Sequence, residues 1–196
     1  MPSASLPALG PELPRTGGPT TRALGRWVLA SLGWRIDGDI PNVRKLVIIA
    51  APHTSNWDFV VGIAAKLALG LDVRFLAKDT LFRFPLGVLM RYFGGIPVDR
   101  SASHDVVRAM VDELARHERL LVALAPQGTR KHGARWRTGF YYIAHGAGVA
   151  ILPVALNFGE RAIQIRPPFM PTGDADADLR ELQARFAGVR GRHAGG

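Results

Sequence analysis

Apolar positions along the chain follow helical spacing in some stretches and strand-like runs in others. The most apolar short run is Leu46-Val47-Ile48-Ile49-Ala50-Ala51. It is rich in β-branched residues and lacks polar alternation, the pattern of a strand buried on both faces. Pro52-His53-Thr54-Ser55-Asn56-Trp57-Asp58 follows, and then Phe59 to Leu69, long enough for a helix that Thr54, Ser55 or Asn56 can cap. Further strands are predicted at 72–77, 94–98, 120–125, 149–156 and 162–165, with a turn or short edge strand at 36–39. Helices are predicted from Pro85 to Phe93, over 104–117 behind a Ser103 cap, around 139–147 and over 175–187. In the second of these, Val106, Val107, Met110, Val111 and Leu114 keep helical spacing. Strands alternating with helices predict an α/β fold with a mostly parallel central sheet and helices on both faces.

The ends of the chain read differently. Residues 1–20 carry five prolines and no periodicity, and predict a disordered tail. Residues 21–34 predict an N-terminal amphipathic helix, with Leu24, Trp27, Val28, Leu32 and Trp34 on an apolar side and Arg22 and Arg26 elsewhere. Two tryptophans and two arginines suit either a membrane interface or packing on the sheet. Residues 21–187 are assigned to a single domain, and 188–196 to a flexible basic tail.

Charge narrows the choice of partner. A formal net charge of +9 and a pI near 10.9 favour an anionic one: phosphates, an acidic lipid surface or nucleic acid. With no cysteine, thiol nucleophiles, disulfides and Cys-ligated metals are excluded. No apolar run reaches spanning length, and no signal-peptide pattern opens the chain, so a soluble or membrane-surface protein is expected. Gly-x-Gly-x-x-Gly and P-loop patterns are absent, so neither a dinucleotide nor an NTP is the expected ligand.

The chemistry-bearing residues fall at the ends of predicted strands: His53 and Asp58, then Lys78, then Asp99-Arg100, then Gln127-Gly128-Thr129-Arg130. In a parallel sheet these ends share one edge, where α/β folds place their ligands. A carboxylate on one imidazole nitrogen leaves the other as a general base. The neighbouring cations Lys78, Arg100 and Arg130 suit a hydroxyl substrate that also carries phosphate. Three rivals stand beside this reading. A serine hydrolase would use Ser55, Ser101 or Ser103, none in a Gly-x-Ser-x-Gly elbow. A nucleic-acid binder would use the basic run from Lys131 to Arg137, which no recognition motif accompanies. The third is a non-catalytic protein that binds anionic lipid.

With these residues in place, the sequence resembles the glycerolipid acyltransferase family, the lysophosphatidic acid acyltransferase-like enzymes. The His-x4-Asp motif matches His53 to Asp58. Gly95-Ile96-Pro97-Val98-Asp99-Arg100 matches the second motif, and Pro126-Gln127-Gly128-Thr129-Arg130 the third, with Gln127 where the family usually has glutamate. Ile151-Leu152-Pro153-Val154 matches the fourth, an apolar strand with a central proline. The resemblance covers roughly residues 45–157. It implies O-acyl transfer from acyl-CoA or acyl carrier protein to a lysophospholipid such as 1-acylglycerol 3-phosphate, or to another acceptor such as a lyso-aminolipid. His53 and Asp58 would be catalytic, and Lys78, Arg100, Gln127, Gly128, Thr129 and Arg130 would bind substrate. No cofactor or metal is expected, nor a nucleic-acid partner. The expected location is cytoplasmic, in peripheral contact with an anionic membrane.

Overall fold

The computed structural model describes residues 6–99, 103–127 and 136–192. In chain order the elements are α1 (Pro19–Ser31), β1 (Arg35–Asp37), β2 (Lys45–Ala51), α2 (Trp57–Leu69), β3 (Val73–Lys78), α3 (Leu86–Tyr92), β4 (Gly95–Val98), α4 (Ser103–Arg116), β5 (Leu120–Leu124), α5 (Gly139–Ala147), β6 (Ile151–Asn157), β7 (Ala162–Ile165) and α6 (Ala175–Ala184). They form an α/β fold on a seven-stranded sheet of order β1-β7-β6-β2-β5-β3-β4.

The apolar run 46–51 becomes β2, near the middle of the sheet and paired in parallel with both β5 and β6. Strands β2 to β6 run in one direction. β7 pairs antiparallel with β6, and β1 pairs parallel with β7, so this edge runs the other way. Successive side chains of a strand point to opposite faces. Leu46 accordingly joins a core with Val61, Ala64 and Ala68 of α2 and Leu29 of α1, while Val47 and Ile49 join Met110, Leu114, Phe140, Ile143 and Leu182 from α4, α5 and α6. The chain leaves β2 for α2 on one face and leaves β5 for α5 on the other. Adjacent strands with divergent connections open a crevice at their carboxyl ends.

α1 packs on α2 through Gly25. A Cβ at Gly25 would collide with the Ala68 amide nitrogen and lie 2.7 Å from the Ala64 carbonyl oxygen, so only glycine permits this approach. The helix ends at Ser31, three residues short of Trp34. The Trp34 amide donates to the Leu29 carbonyl at 2.8 Å, which turns the chain and drives the indole inward. Trp34 is only 8% exposed and meets Phe158 edge-on with ring centroids 4.8 Å apart, whereas Trp27 is 67% exposed. Of the two readings open to these tryptophans, packing in the core holds for Trp34, while Trp27 stays exposed.

Both expected tails also depart from disorder. Leu13 is fully buried in the α1–α2 core, the Thr16 amide donates to Gly70 O, and the Asp72 amide donates to Pro14 O. Residues 6–18 therefore run along the domain. Beyond α6, Val189 is buried and the Phe158 amide donates to Arg190 O at 2.8 Å. These anchors are single buried side chains and isolated backbone bonds, which leave no periodicity in a sequence. Residues 1–5 and 193–196 of the two expected tails lie outside the described residues.

Candidate active site

The loop between β2 and α2 is built around one buried carboxylate oxygen. Asp58 sits in the first turn of α2, where the helix dipole favours negative charge. Its Oδ2 accepts from the Thr54 amide at 2.7 Å and from the Ser55 amide at 2.8 Å, and lies 3.0 Å from His53 Nδ1. Asn56, at the N-cap, makes no side-chain capping bond. Ser55 Oγ accepts from the Trp57 amide instead, at 3.0 Å, and Asp58 reaches back over the loop. The carboxylate thus fixes the loop and the imidazole together. With Nδ1–H directed at Asp58, Nε2 is the basic nitrogen. Among the described residues Nε2 has no hydrogen-bond partner, and His53 lines the large cavity described below.

β5 adds the second brace. Ile49 of β2 is in register with Leu124 of β5, so the loops that follow meet. Gln127 Oε1 accepts from the His53 amide at 2.7 Å. The amide oxygen does here what a carboxylate oxygen would do, without bringing a negative charge to the imidazole. Replacing Gln127 by Leu leaves a part-buried N–H without its acceptor, which costs about 1–3 kcal/mol. kcat is therefore expected to fall several-fold to about tenfold in Gln127→Leu, with Gln127→Glu restoring most of it. Steady-state kinetics of the two variants check this; a fully active Gln127→Leu protein would remove the brace from the argument.

A third restraint comes from the far end of the chain. The Arg192 amide donates to Thr54 Oγ1 at 3.0 Å, and the Arg192 guanidinium lies over the Trp57 ring at 4.8 Å. Gly191 passes so close that a Cβ would lie 2.7 Å from Thr54 Cγ2. Behind the loop, a cavity of about 140 Å³ is bordered by Pro52, Gln127, Trp136, Gln183 and Val189.

His53 and Asp58 stand at the wall of a much larger cavity of about 800 Å³. It extends between α2 and the sheet, lined by Phe59, Ile63, Phe75, Leu121 and Leu152 among other apolar side chains, and reaches Leu81, Leu86 and Leu89 beyond β3. Lys66, in the middle of the apolar α2, folds its ammonium onto two carbonyls, Val73 O at 2.8 Å and Phe93 O at 2.5 Å. Burial there pushes its pKa below the ordinary lysine value, with Asp72 acting in the opposite direction.

Of the expected site residues, His53, Asp58 and Gln127 come together. Lys78 lies at the carboxyl end of β3, on the same sheet edge but exposed and not among the residues lining the cavity. Arg100, Gly128, Thr129 and Arg130 lie outside the described residues, as do Ser101 and the side chain of Ser103. Arg137, which the sequence offered only as part of a basic run, is exposed and lines the cavity with His53. Arg192 carried no signal beyond a basic terminus. Ser55 Oγ accepts from the Trp57 amide, and no serine–His53 hydrogen bond occurs among the described residues. No group of His, Asp and Glu suited to a metal occurs among the described residues.

Comparison with known proteins shows the family and the fold. The chain is 28% identical over 168 residues to a 1-acyl-sn-glycerol-3-phosphate acyltransferase of Salmonella typhimurium, covering 76% of this chain and 67% of the relative. It is 31% identical over 140 residues to one of Streptococcus pneumoniae, covering 66% of this chain but about half, 51%, of the relative. The fold matches the crystal structure of the 1-acyl-sn-glycerophosphate acyltransferase PlsC from Thermotoga maritima, with a TM-score of 0.57 and 20% identity over 85% of this chain and 75% of that one. The sequence profile of the Acyltransferase family matches residues 36–157, from β1 to the end of β6, and so takes in every strand end that carries the site. This chain belongs to the acyltransferase family.

Proposed function

We propose that the protein transfers a fatty acyl group from a thioester, acyl-CoA or acyl carrier protein, to the hydroxyl of a lysophospholipid such as 1-acylglycerol 3-phosphate. The observation that carries this reading is a histidine held through Nδ1 by a buried carboxylate, its Nε2 unpartnered among the described residues, at the wall of a large apolar cavity. The cavity suits an alkyl chain, and the base suits the hydroxyl beside it.

In this mechanism His53 Nε2 takes the hydroxyl proton as the acceptor oxygen attacks the thioester carbonyl carbon. Asp58 stabilises the imidazolium that forms. The tetrahedral intermediate then collapses, the C–S bond breaks, and the imidazolium returns its proton to the departing thiolate. The thioester brings its own activation, so this chemistry calls for no cofactor or metal. Lys78, Arg100 and Arg130 are the proposed contacts for acceptor phosphate, with Arg137 added from its place on the cavity. Gly128 and Thr129 are proposed to contact substrate beside them. Gln127 acts through the His53 amide and is a positioning residue.

The acceptor is a lipid, so the enzyme is proposed to work in peripheral contact with the cytoplasmic face of an anionic membrane. No helix among the described residues is long and apolar enough to cross one. The test is thiol release from acyl-CoA over a panel of lysolipids, lyso-aminolipids included, with products identified by mass spectrometry. Acceptor-dependent release with a matching diacyl product is expected. Release of free fatty acid without acceptor would make the protein a thioesterase and overturn the reading.

A further inference from the structure

We propose that the segment from Leu81 to Tyr92, rather than α1, is the surface that seats on an anionic bilayer, and that it forms the lipid-side wall of the acyl cavity. Six large apolar residues in these twelve positions are solvent-exposed. Phe84 is 89% exposed, Tyr92 74% and Val88 65%, and Leu81, Leu86 and Leu89 are exposed to a lesser degree. Patches of this kind on a soluble domain mark interaction sites.

The surface is rigidly built. Gly87 packs directly on the Phe82 carbonyl, so α3 lies tight against the 3-10 turn Asp79–Phe82 before it. Arg91 Nη1 donates to Phe82 O at 3.3 Å and to Gly87 O at 3.4 Å, and its guanidinium covers the Phe82 ring at 5.6 Å. Phe82 and Met90 are buried inward with Phe59 and Phe75. Of the side chains left outside, Val88 and Tyr92 lie four residues apart on α3 and share a face, and Phe84 stands exposed just before the helix.

Two observations choose the occupant. First, Leu81, Leu86 and Leu89 belong both to the exposed patch and to the wall of the cavity that holds His53. An alkyl chain moving from a leaflet into that cavity passes along apolar surface throughout. Second, the segment 78–92 carries Lys78, Arg83 and Arg91 and one acid, Asp79. Cations beside an apolar patch, with a tyrosine at its end, match the headgroup layer of an anionic membrane. A second copy of the chain would bring two cationic segments face to face, which charge repulsion opposes.

The inference rests on the proposed lipid acceptor, but its test needs no turnover. The chain has no cysteine, so Phe84→Cys can carry a single environment-sensitive fluorophore, with Asp176→Cys on the opposite helical layer as control. With phosphatidylglycerol-containing vesicles, a blue shift is expected at position 84 and none at 176. The variant Phe84→Ser/Val88→Ser/Tyr92→Ser alters only exposed side chains and should keep its circular dichroism. It is expected to lose vesicle binding at least about tenfold, whereas Leu24→Ser/Trp27→Ser is not. Acyl transfer to a monomeric short-chain acceptor should survive the triple substitution. Unchanged vesicle binding by the triple variant would overturn the proposal, as would loss through the α1 variant instead. A wild-type dimer that the triple variant dissolves would assign the patch to a second copy. If vesicle binding behaves as expected but no lysolipid is acylated, the proposed reaction fails and the membrane surface stands.

Discussion

His53→Ala is expected to lose acyl transfer by at least about a hundredfold while its unfolding midpoint stays close to that of the parent. The two halves of that result have separate causes. The imidazole sits on a loop and belongs to none of the hydrophobic cores, and its one polar partner among the described residues is Asp58. Its removal therefore subtracts little from packing. Asp58 Oδ2 still accepts from the Thr54 and Ser55 amides, so the loop keeps its form. What disappears is the imidazole at the cavity wall that takes the hydroxyl proton in the proposed mechanism. Acyl-transfer assays alongside thermal denaturation check both halves. A folded His53→Ala protein with near-normal turnover would remove the general-base mechanism altogether.

Asp58→Asn should lower kcat by roughly 10- to 100-fold with little change in KM. One oxygen of the carboxylate takes all three donors, and an amide oxygen in the same place can take them as well. The geometry of loop and imidazole is thus retained. The lost quantity is charge: in the proposed mechanism an imidazolium forms in the transition state, and the variant offers it a neutral amide in a buried setting. Asp58→Ala behaves differently. It strands two loop amides that had an acceptor, at about 1–3 kcal/mol each, and should lower the unfolding midpoint as well as the rate. Normal kcat in Asp58→Asn would mean that the carboxylate holds the loop and does nothing for the reaction.

Much of this arrangement can be read from the amino-acid order, because it rests on local pattern. The run 46–51 reads as a doubly buried strand, and a five-residue offset across a strand-to-helix turn can bring a histidine and an aspartate together, as His53 and Asp58 are. What depends on register is hidden. Gln127 looks like a weakened glutamate in the sequence; its acceptor bond to the His53 amide appears only when β2 and β5 lie side by side. Trp34 shares helical spacing with Trp27, and only the termination of α1 at Ser31 separates the buried ring from the exposed one. The cavity has no signature at all, since it arises where apolar side chains fail to meet. Segments held by one anchor, such as Leu13 or Val189, resemble disorder because a single buried residue has no period.

The hydrogen bond between Arg192 and Thr54 joins residues 138 positions apart. On a ribosome, β2 and its loop are made long before that partner exists, and chains fold from the N-terminal side as they emerge. The sheet can reach its native order once β7 has been made, yet the loop that carries His53 then still lacks one of its three restraints. A nascent chain held short of residue 189 would have its strands, its core and its histidine, but a site loop free to wander on the side facing Trp57. Closing that last contact carries the entropy of a very long loop, a cost lowered only because the rest of the fold has already brought the two ends together. The arrangement of the site loop is in this sense a record of the fold having closed through residue 192.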